Sequence, residues 1–125
     1  MKLLLDTHAL IFLLSDPDRL SSEAREAMQQ TDEIAFSAAS IWEIEIKAKI
    51  GKLAPPATST LQAARMLGLV ELPMMATHAE QAGRLPLHHA DPFDRMLIAQ
   101  AQVEGYALVS RDQALVAYAV TVQPC

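Results

Sequence analysis

A chain of 125 residues, 51% apolar and 20% charged, has the length and balance of one globular domain with a core of its own, and is too short for two. Ten basic against fifteen acidic side chains leave a net charge of −5, which excludes holding nucleic acid through a broad basic surface. The single cysteine, Cys125, excludes an internal disulfide and a cysteine-built zinc site, and it suits a reducing cytoplasm.

The longest apolar run, Ala9–Leu14, falls far short of the roughly 20 residues of a membrane span, so no membrane association is expected. The start, MKLLLDTHALIFLL, is interrupted by Asp6 and His8 and lacks a small-residue cleavage site, so it reads as part of the fold and not as a secretory leader. Lys2–Leu5 is aliphatic without alternation, the pattern of a strand buried on both faces. Asp6-Thr7 follows it, at the carboxyl end where open α/β sheets bind ligands; capping the helix expected over His8–Leu14 is the other use for Asp6.

Asp16, Pro17 and Asp18 make a loop, and Ser21 or Ser22 caps a helix through Gln29 or Gln30. Glu33–Phe36 is a second short strand, and Ser37 caps a helix from about Ala38 to Ile50 that Gly51 stops. Within it Glu43 stands four residues before Lys47 and Glu45 four before Lys49. Either acid can form a surface pair worth roughly 0.2–0.5 kcal/mol or point inward, and spacing does not choose between them. Leu53–Thr60 is a proline-containing connector, after which Thr58 or Ser59 caps a helix to about Leu67. Leu69–Leu72 is a third strand, stopped by Pro73, and Thr77–Leu85 is a short helix with His78, Glu80 and Arg84 as its polar positions.

The stretch His88–Ala101, HHADPFDRMLIAQA, carries the densest chemistry. Pro92 suits a first helical turn and Asp91 an N-cap, with the helix expected from near Asp94 to Glu104 and closed by Gly105. Capping accounts for Asp91 but leaves Asp94 without a structural duty. His88 and His89 fit loop packing or substrate contact better than metal ligation, because no further histidine lies at ligand spacing. Tyr106–Val109 is a fourth strand running into Ser110-Arg111-Asp112, followed by a short helix, Gln113–Tyr118, and an edge strand, Val120–Val122. Short aliphatic strands alternating with helices predict an α/β fold, its sheet of about four to five mostly parallel strands flanked by helices.

Asp6 and Asp112 each follow a buried strand, Asp94 opens the helix that feeds the strand before Asp112, and Glu43 lies early in a helix after a strand. Four such positions can surround one pocket at the carboxyl edge of a parallel sheet. Carboxylates gathered there repel one another unless a cation joins them, and hard Mg²⁺ or Mn²⁺ accepts their oxygens. An ion so held can orient and activate a water against a phosphodiester.

LLLDTHALIFLL, SAASIWEIEIKAKIGKL, HHADPFDRMLIAQA and LVSRD, in this order from Lys2 to about Asp112, resemble the PIN domain family, and more narrowly its bacterial VapC-type toxins. The resemblance implies a doubly wound α/β domain with one or two Mg²⁺ or Mn²⁺ ions, acting as an endoribonuclease that leaves a 5′-phosphate and a 3′-hydroxyl. It places the family's four acids on Asp6, Glu43, Asp94 and Asp112, with no departure at these positions. Ser110 falls on a small hydroxyl residue near the metal, Thr7 follows the first aspartate, and Asp91 is a cap or a supporting acid. Arg95, Arg111, Lys47 and Lys49 are candidates for phosphate contact, with surface ion pairs as their other use. The resemblance further implies an RNA substrate, a cognate antitoxin and a homodimer. Phe12, Trp42, Ile46 and Met66 are candidate antitoxin surface unless they are core. Two other readings use the same acids: a structure-specific DNA nuclease of the same fold, and a receiver-like phosphoacceptor domain. The second lacks an acidic neighbour to Asp6 and a lysine after the last pocket strand.

Overall fold

The computed structural model describes residues 1–125. Strand β1 (Lys2–Leu5) leads into helix α1 (Thr7–Ser15), a 3₁₀ turn at Pro17–Arg19 and α2 (Ser22–Gln30). Strand β2 (Glu33–Ser37) leads into α3 (Ala38–Lys49), and α4 (Thr60–Met66) precedes β3 (Val70–Leu72). Helices α5 (Ala76–Arg84) and α6 (Pro92–Glu104), β4 (Ala107–Ser110), a 3₁₀ turn over Gln113–Ala117 and β5 (Val122–Pro124) complete the chain. The five strands form one sheet in the order β3-β2-β1-β4-β5, and every pairing is parallel.

The absence of alternation in β1 now has its cause. Leu3 and Leu5 point to one face, where they meet Phe36, Leu10, Ile44 and Val109; Leu4 points to the other, where it meets Ala35, Leu97, Ile98 and Leu108. Helices cover both faces, so successive residues of β1 and β4 are equally buried. Chain order reverses direction at β1, with β2 on one side and β4 on the other. That switch point opens a crevice at the carboxyl ends of β1 and β4, beside Asp6 and Ser110. The order also differs from the 2-1-3-4-5 arrangement of receiver domains, so the phosphoacceptor alternative lacks its topology.

Two elements start two residues away from their expected places. Helix α6 begins at Pro92, because Asp91 Oδ1 accepts from the backbone N–H groups of both Phe93 (2.9 Å) and Asp94 (3.0 Å). Asp94 therefore lies inside the first turn. Strand β5 begins at Val122 and not Val120, since the Val120 N–H is bonded to the Tyr118 carbonyl at 2.7 Å in a tight turn. His78, expected among the polar positions of its helix, is fully buried. Its Nδ1 accepts from Met75 N–H at 3.0 Å and its Nε2 donates to Glu104 at 2.9 Å, tying the start of α5 to the end of α6. Gly105 ends α6 at φ +77°, a left-handed position that carries no side-chain penalty in glycine.

Candidate metal centre

Asp6 stands at the end of β1, where its N–H donates to the Val109 carbonyl of β4 at 3.0 Å. Its Oδ1 accepts from Ala9 N–H at 2.8 Å and so caps α1, yet the residue is only 7% exposed. Burial pushes its pKa up and the Glu43 charge adds to this, against the Ala9 N–H, the Ser110 hydroxyl and His8. Capping and burial beside another acid thus coexist at Asp6.

Glu43 is the inward acid of α3, at 4% exposure, while Glu45 faces solvent. The Thr7 hydroxyl donates to Glu43 Oε1 at 2.6 Å and lies 3.1 Å from Ser40 Oγ; Lys47 Nζ donates to Oε2 at 2.7 Å. The expected pair at four-residue spacing therefore exists, but one partner is buried. The Glu43 bond raises the Lys47 pKa, and the charges of Asp91 and Asp94 add to it despite partial burial.

Asp94 faces the same crevice from α6. Burial raises its pKa, and Asp91 and Asp6 push it the same way, while the bond from His89 opposes them. His89 Nε2 lies 2.8 Å from Asp94 Oδ2 and 4.0 Å from Asp112 Oδ2. Asp112 follows β4, its Oδ1 accepting from Ala114 N–H at 3.0 Å and its own N–H donating to the buried Ser110 hydroxyl at 3.1 Å. The structure thus brings Asp6, Glu43, Asp94 and Asp112 to one edge, with Thr7, Ser110 and Asp91 bracing them. Carboxylates that burial and mutual repulsion make costly to ionise would be relieved by a divalent cation, and the oxygen donors of the four acids fit Mg²⁺ or Mn²⁺.

The signs of these shifts set a pH dependence. Raised values for Asp6 and Asp94 mean that the native state binds more protons than the unfolded chain from about pH 3.8 upward. Their combined contribution therefore lowers ion-free stability as pH rises through the shifted values. In chelator, Asp94→Asn is expected to melt above wild type near neutral pH, with the gap closing as pH falls towards about 4. Thermal melts across that range check it; a gap that widened towards acid would contradict the burial of this charge.

The basic candidates divide. Lys47 lies in the cluster, Lys49 is exposed outside it, and the Arg111 guanidinium lies 4.4 Å from the Phe12 ring centroid and donates to the Cys125 carbonyl at 3.3 Å. Arg95 is corrected. Its Nη1 donates to the carbonyls of Pro86 (3.0 Å) and His89 (3.2 Å), and its Nη2 to those of Ala82 and Leu85 (both 2.9 Å). The four donors of Nη1 and Nη2 are spent on backbone, which leaves only the Nε–H for a phosphate and rules out a two-pronged contact. Phe12 is likewise core, 7% exposed, whereas Trp42 and Met66 are 58% and 87% exposed.

Two residues were missed. Arg19 joins Arg111 over Phe12, 4.5 Å from its centroid, and nothing in the Asp-Pro-Asp loop before it signalled that. His89, expected in loop packing or substrate contact because no further histidine lies at ligand spacing, stands beside two acids; its spacing before a capped helix start is the available signal. His88 packs edge-on against Tyr118 instead, with ring centroids 5.1 Å apart.

Comparison with known proteins agrees with the fold. The chain is 33% identical over 118 residues to Ribonuclease VapC22 of Mycobacterium tuberculosis, covering 90% of this chain and 88% of that protein. Its fold resembles VapBC2 from Rickettsia felis, solved bound to a promoter DNA fragment, at a TM-score of 0.70 and 13% identity over 100% of this chain and 99% of that one. A toxin-antitoxin complex from Klebsiella pneumoniae gives a TM-score of 0.66 at 24% identity, over 95% and 93%. The PIN domain family profile matches residues 3–120, which takes in all four acids, and with the parallel sheet and its acidic switch point this establishes that the chain belongs to the PIN domain family.

Proposed function

We infer that this PIN domain is a divalent-metal-dependent endoribonuclease acting as the toxin of a toxin–antitoxin module. The observation that carries this reading is the convergence of Asp6, Glu43, Asp94 and Asp112 at the sheet's carboxyl edge, in a chain 33% identical to a named ribonuclease. These four acids would hold Mg²⁺ or Mn²⁺ directly or through water. When bound, the ion supplies an activated water and stabilises charge on the phosphodiester under attack.

The chain's own residues orient the rest. Thr7 holds one oxygen of Glu43, and the Ala9 N–H holds Asp6 Oδ1. Lys47 on one side and Arg111 with Arg19 on the other are the cations that would contact substrate phosphates. Lys49 remains an outer candidate, exposed beyond the cluster. Products would carry a 5′-phosphate and a 3′-hydroxyl.

The partner of such a toxin would be a cognate antitoxin. A trough of about 500 Å³ lined by Ile11, Leu14, Ile44, Leu53, Pro55 and Ala63 is apolar enough to take a peptide segment. It shares Ile11, Ile44 and Leu53 with a smaller cleft that reaches Thr7 and Lys47, so a peptide laid there would approach the acids. Exposed Trp42 and Met66 and half-buried Ile46 are further candidate contacts for the antitoxin or for a second copy in a homodimer. No helix is long and apolar enough to cross a membrane.

The test is cleavage of a tRNA, rRNA and matched-DNA panel by antitoxin-free protein with Mg²⁺, Mn²⁺ or chelator. Cutting of RNA alone, abolished by chelator, is expected. Equal cutting of DNA would favour the DNA-nuclease alternative, and cutting that survived chelator would overturn the metal-dependent reading.

A further inference from the structure

We propose that His89 is a nitrogen ligand of the metal centre, closing a mixed site with Asp94 and Asp112. The inference rests on the metal-nuclease reading above and concerns which atoms complete that site. The donor atoms of His89, Asp94 and Asp112 all lie within 4.8 Å of one another. With metal–ligand bonds of about 2.1 Å, neighbouring donors of an octahedron stand about 3.0 Å apart and opposite ones about 4.2 Å apart. The 2.8 Å from His89 Nε2 to Asp94 and the 4.0 Å to Asp112 lie close to those two spacings. Small side-chain adjustments suffice to seat one ion against all three.

A surface histidine that merely leaned on a carboxylate would need no support of its own, and His89 has it on both sides of its backbone. Its N–H donates to the hydroxyl of buried Tyr118 at 2.8 Å, and its carbonyl accepts from Arg95 at 3.2 Å. Tyr118 in turn donates to the Pro86 carbonyl at 2.8 Å, and Arg95 holds that same carbonyl at 3.0 Å. The loop that carries the ring is therefore located by α6 and the 113–118 segment, independently of the bond to Asp94. The imidazole is one quarter exposed, so an ion from solvent can reach it.

An imidazole adds a donor without adding charge to a crowded acidic site. It also changes which ion is favoured, because Mg²⁺ takes oxygen ligands, whereas a nitrogen donor is better accepted by the first-row transition ions, of which Mn²⁺ binds it most weakly. His89 therefore tilts this centre towards Mn²⁺ relative to an all-carboxylate site.

Pulsed EPR of the full chain with bound Mn²⁺ tests ligation directly, since a coordinated imidazole imprints ¹⁴N coupling on the Mn²⁺ signal. Wild type and His88→Ala are expected to show that coupling, and His89→Ala to lose it. Mn²⁺ titrations should show His89→Ala binding about tenfold more weakly, with Mg²⁺, measured by competition, weakened much less. Bound Mn²⁺ without nitrogen coupling in wild type, or an unchanged Mn²⁺/Mg²⁺ ratio in His89→Ala, overturns the proposal; persistent metal-dependent RNA cleavage in the same sample would leave the nuclease reading standing. If neither Mn²⁺ nor Mg²⁺ binds wild type, both fall. The wild-type spectrum needs no variant, so a misfolded His89→Ala protein cannot mask the result.

Discussion

Asp6→Asn is expected to fold as wild type does and to lose RNA cleavage by about 10²–10³-fold, the order found when a preorganised charge-stabilising group is removed. The substitution separates the two uses of this residue. Asparagine is as good an N-cap as aspartate, so the bond from Ala9 N–H to the side-chain oxygen survives and α1 keeps its start. What disappears is a buried negative charge that Glu43 and Asp94 already oppose. In chelator the variant should therefore melt at or above the wild-type temperature. With saturating Mn²⁺ wild type should gain stability through binding, and the variant much less. Thermal melts with and without Mn²⁺, run beside a cleavage assay, read both effects. Full metal-dependent cleavage by Asp6→Asn would reduce Asp6 to a cap and remove it from the centre.

The fold was legible because its strands are short aliphatic runs bounded by turn chemistry, and because both-face burial leaves a simple mark: no alternation in Lys2–Leu5 or in Ala107–Val109. Local pattern was weaker wherever a side chain outranked it. Asp91 pulled the start of α6 back to Pro92, and a tight turn at Tyr118–Val120 delayed β5. The choice between Glu43 and Glu45 was open on spacing and is decided by Thr7, a residue 36 positions away that only the sheet brings near. The same limit hid the fates of His78, His89 and Arg19. Each is placed by a partner from another element, and residue type alone gives no sign of that. Charged residues near a predicted site look interchangeable in sequence, although Lys47 joins the acids, Lys49 faces solvent, and Arg95 is consumed by backbone carbonyls.

Arg95 carries the second large expected effect, and it falls on stability. Its guanidinium sits at the end of α5, where carbonyls lack intrahelical partners and the helix dipole favours a cation, and Ala82 and Leu85 supply two of its acceptors there. The others, Pro86 and His89, lie on the loop that leads to α6. One side chain thus spans a helix end and the approach to the acidic cluster. Hydrogen bonds from a charged donor are worth about 1.5–3 kcal/mol each in isolation and are not additive; losing the set is expected to cost roughly 2–4 kcal/mol. That is a large share of the 5–15 kcal/mol typical of a domain. Lysine cannot replace it, because a single ammonium does not reproduce a planar fork with donors on two sides, so Arg95→Lys should recover little. Urea denaturation gives the cost, and hydrogen exchange should show the amides of residues 85–90 losing protection before the rest. A phosphate contact would behave otherwise: Arg95→Ala would then leave the unfolding midpoint unchanged and raise KM for RNA, with a shallower salt dependence. If that pattern were observed, the clasp described above would not be what holds His89 beside Asp94.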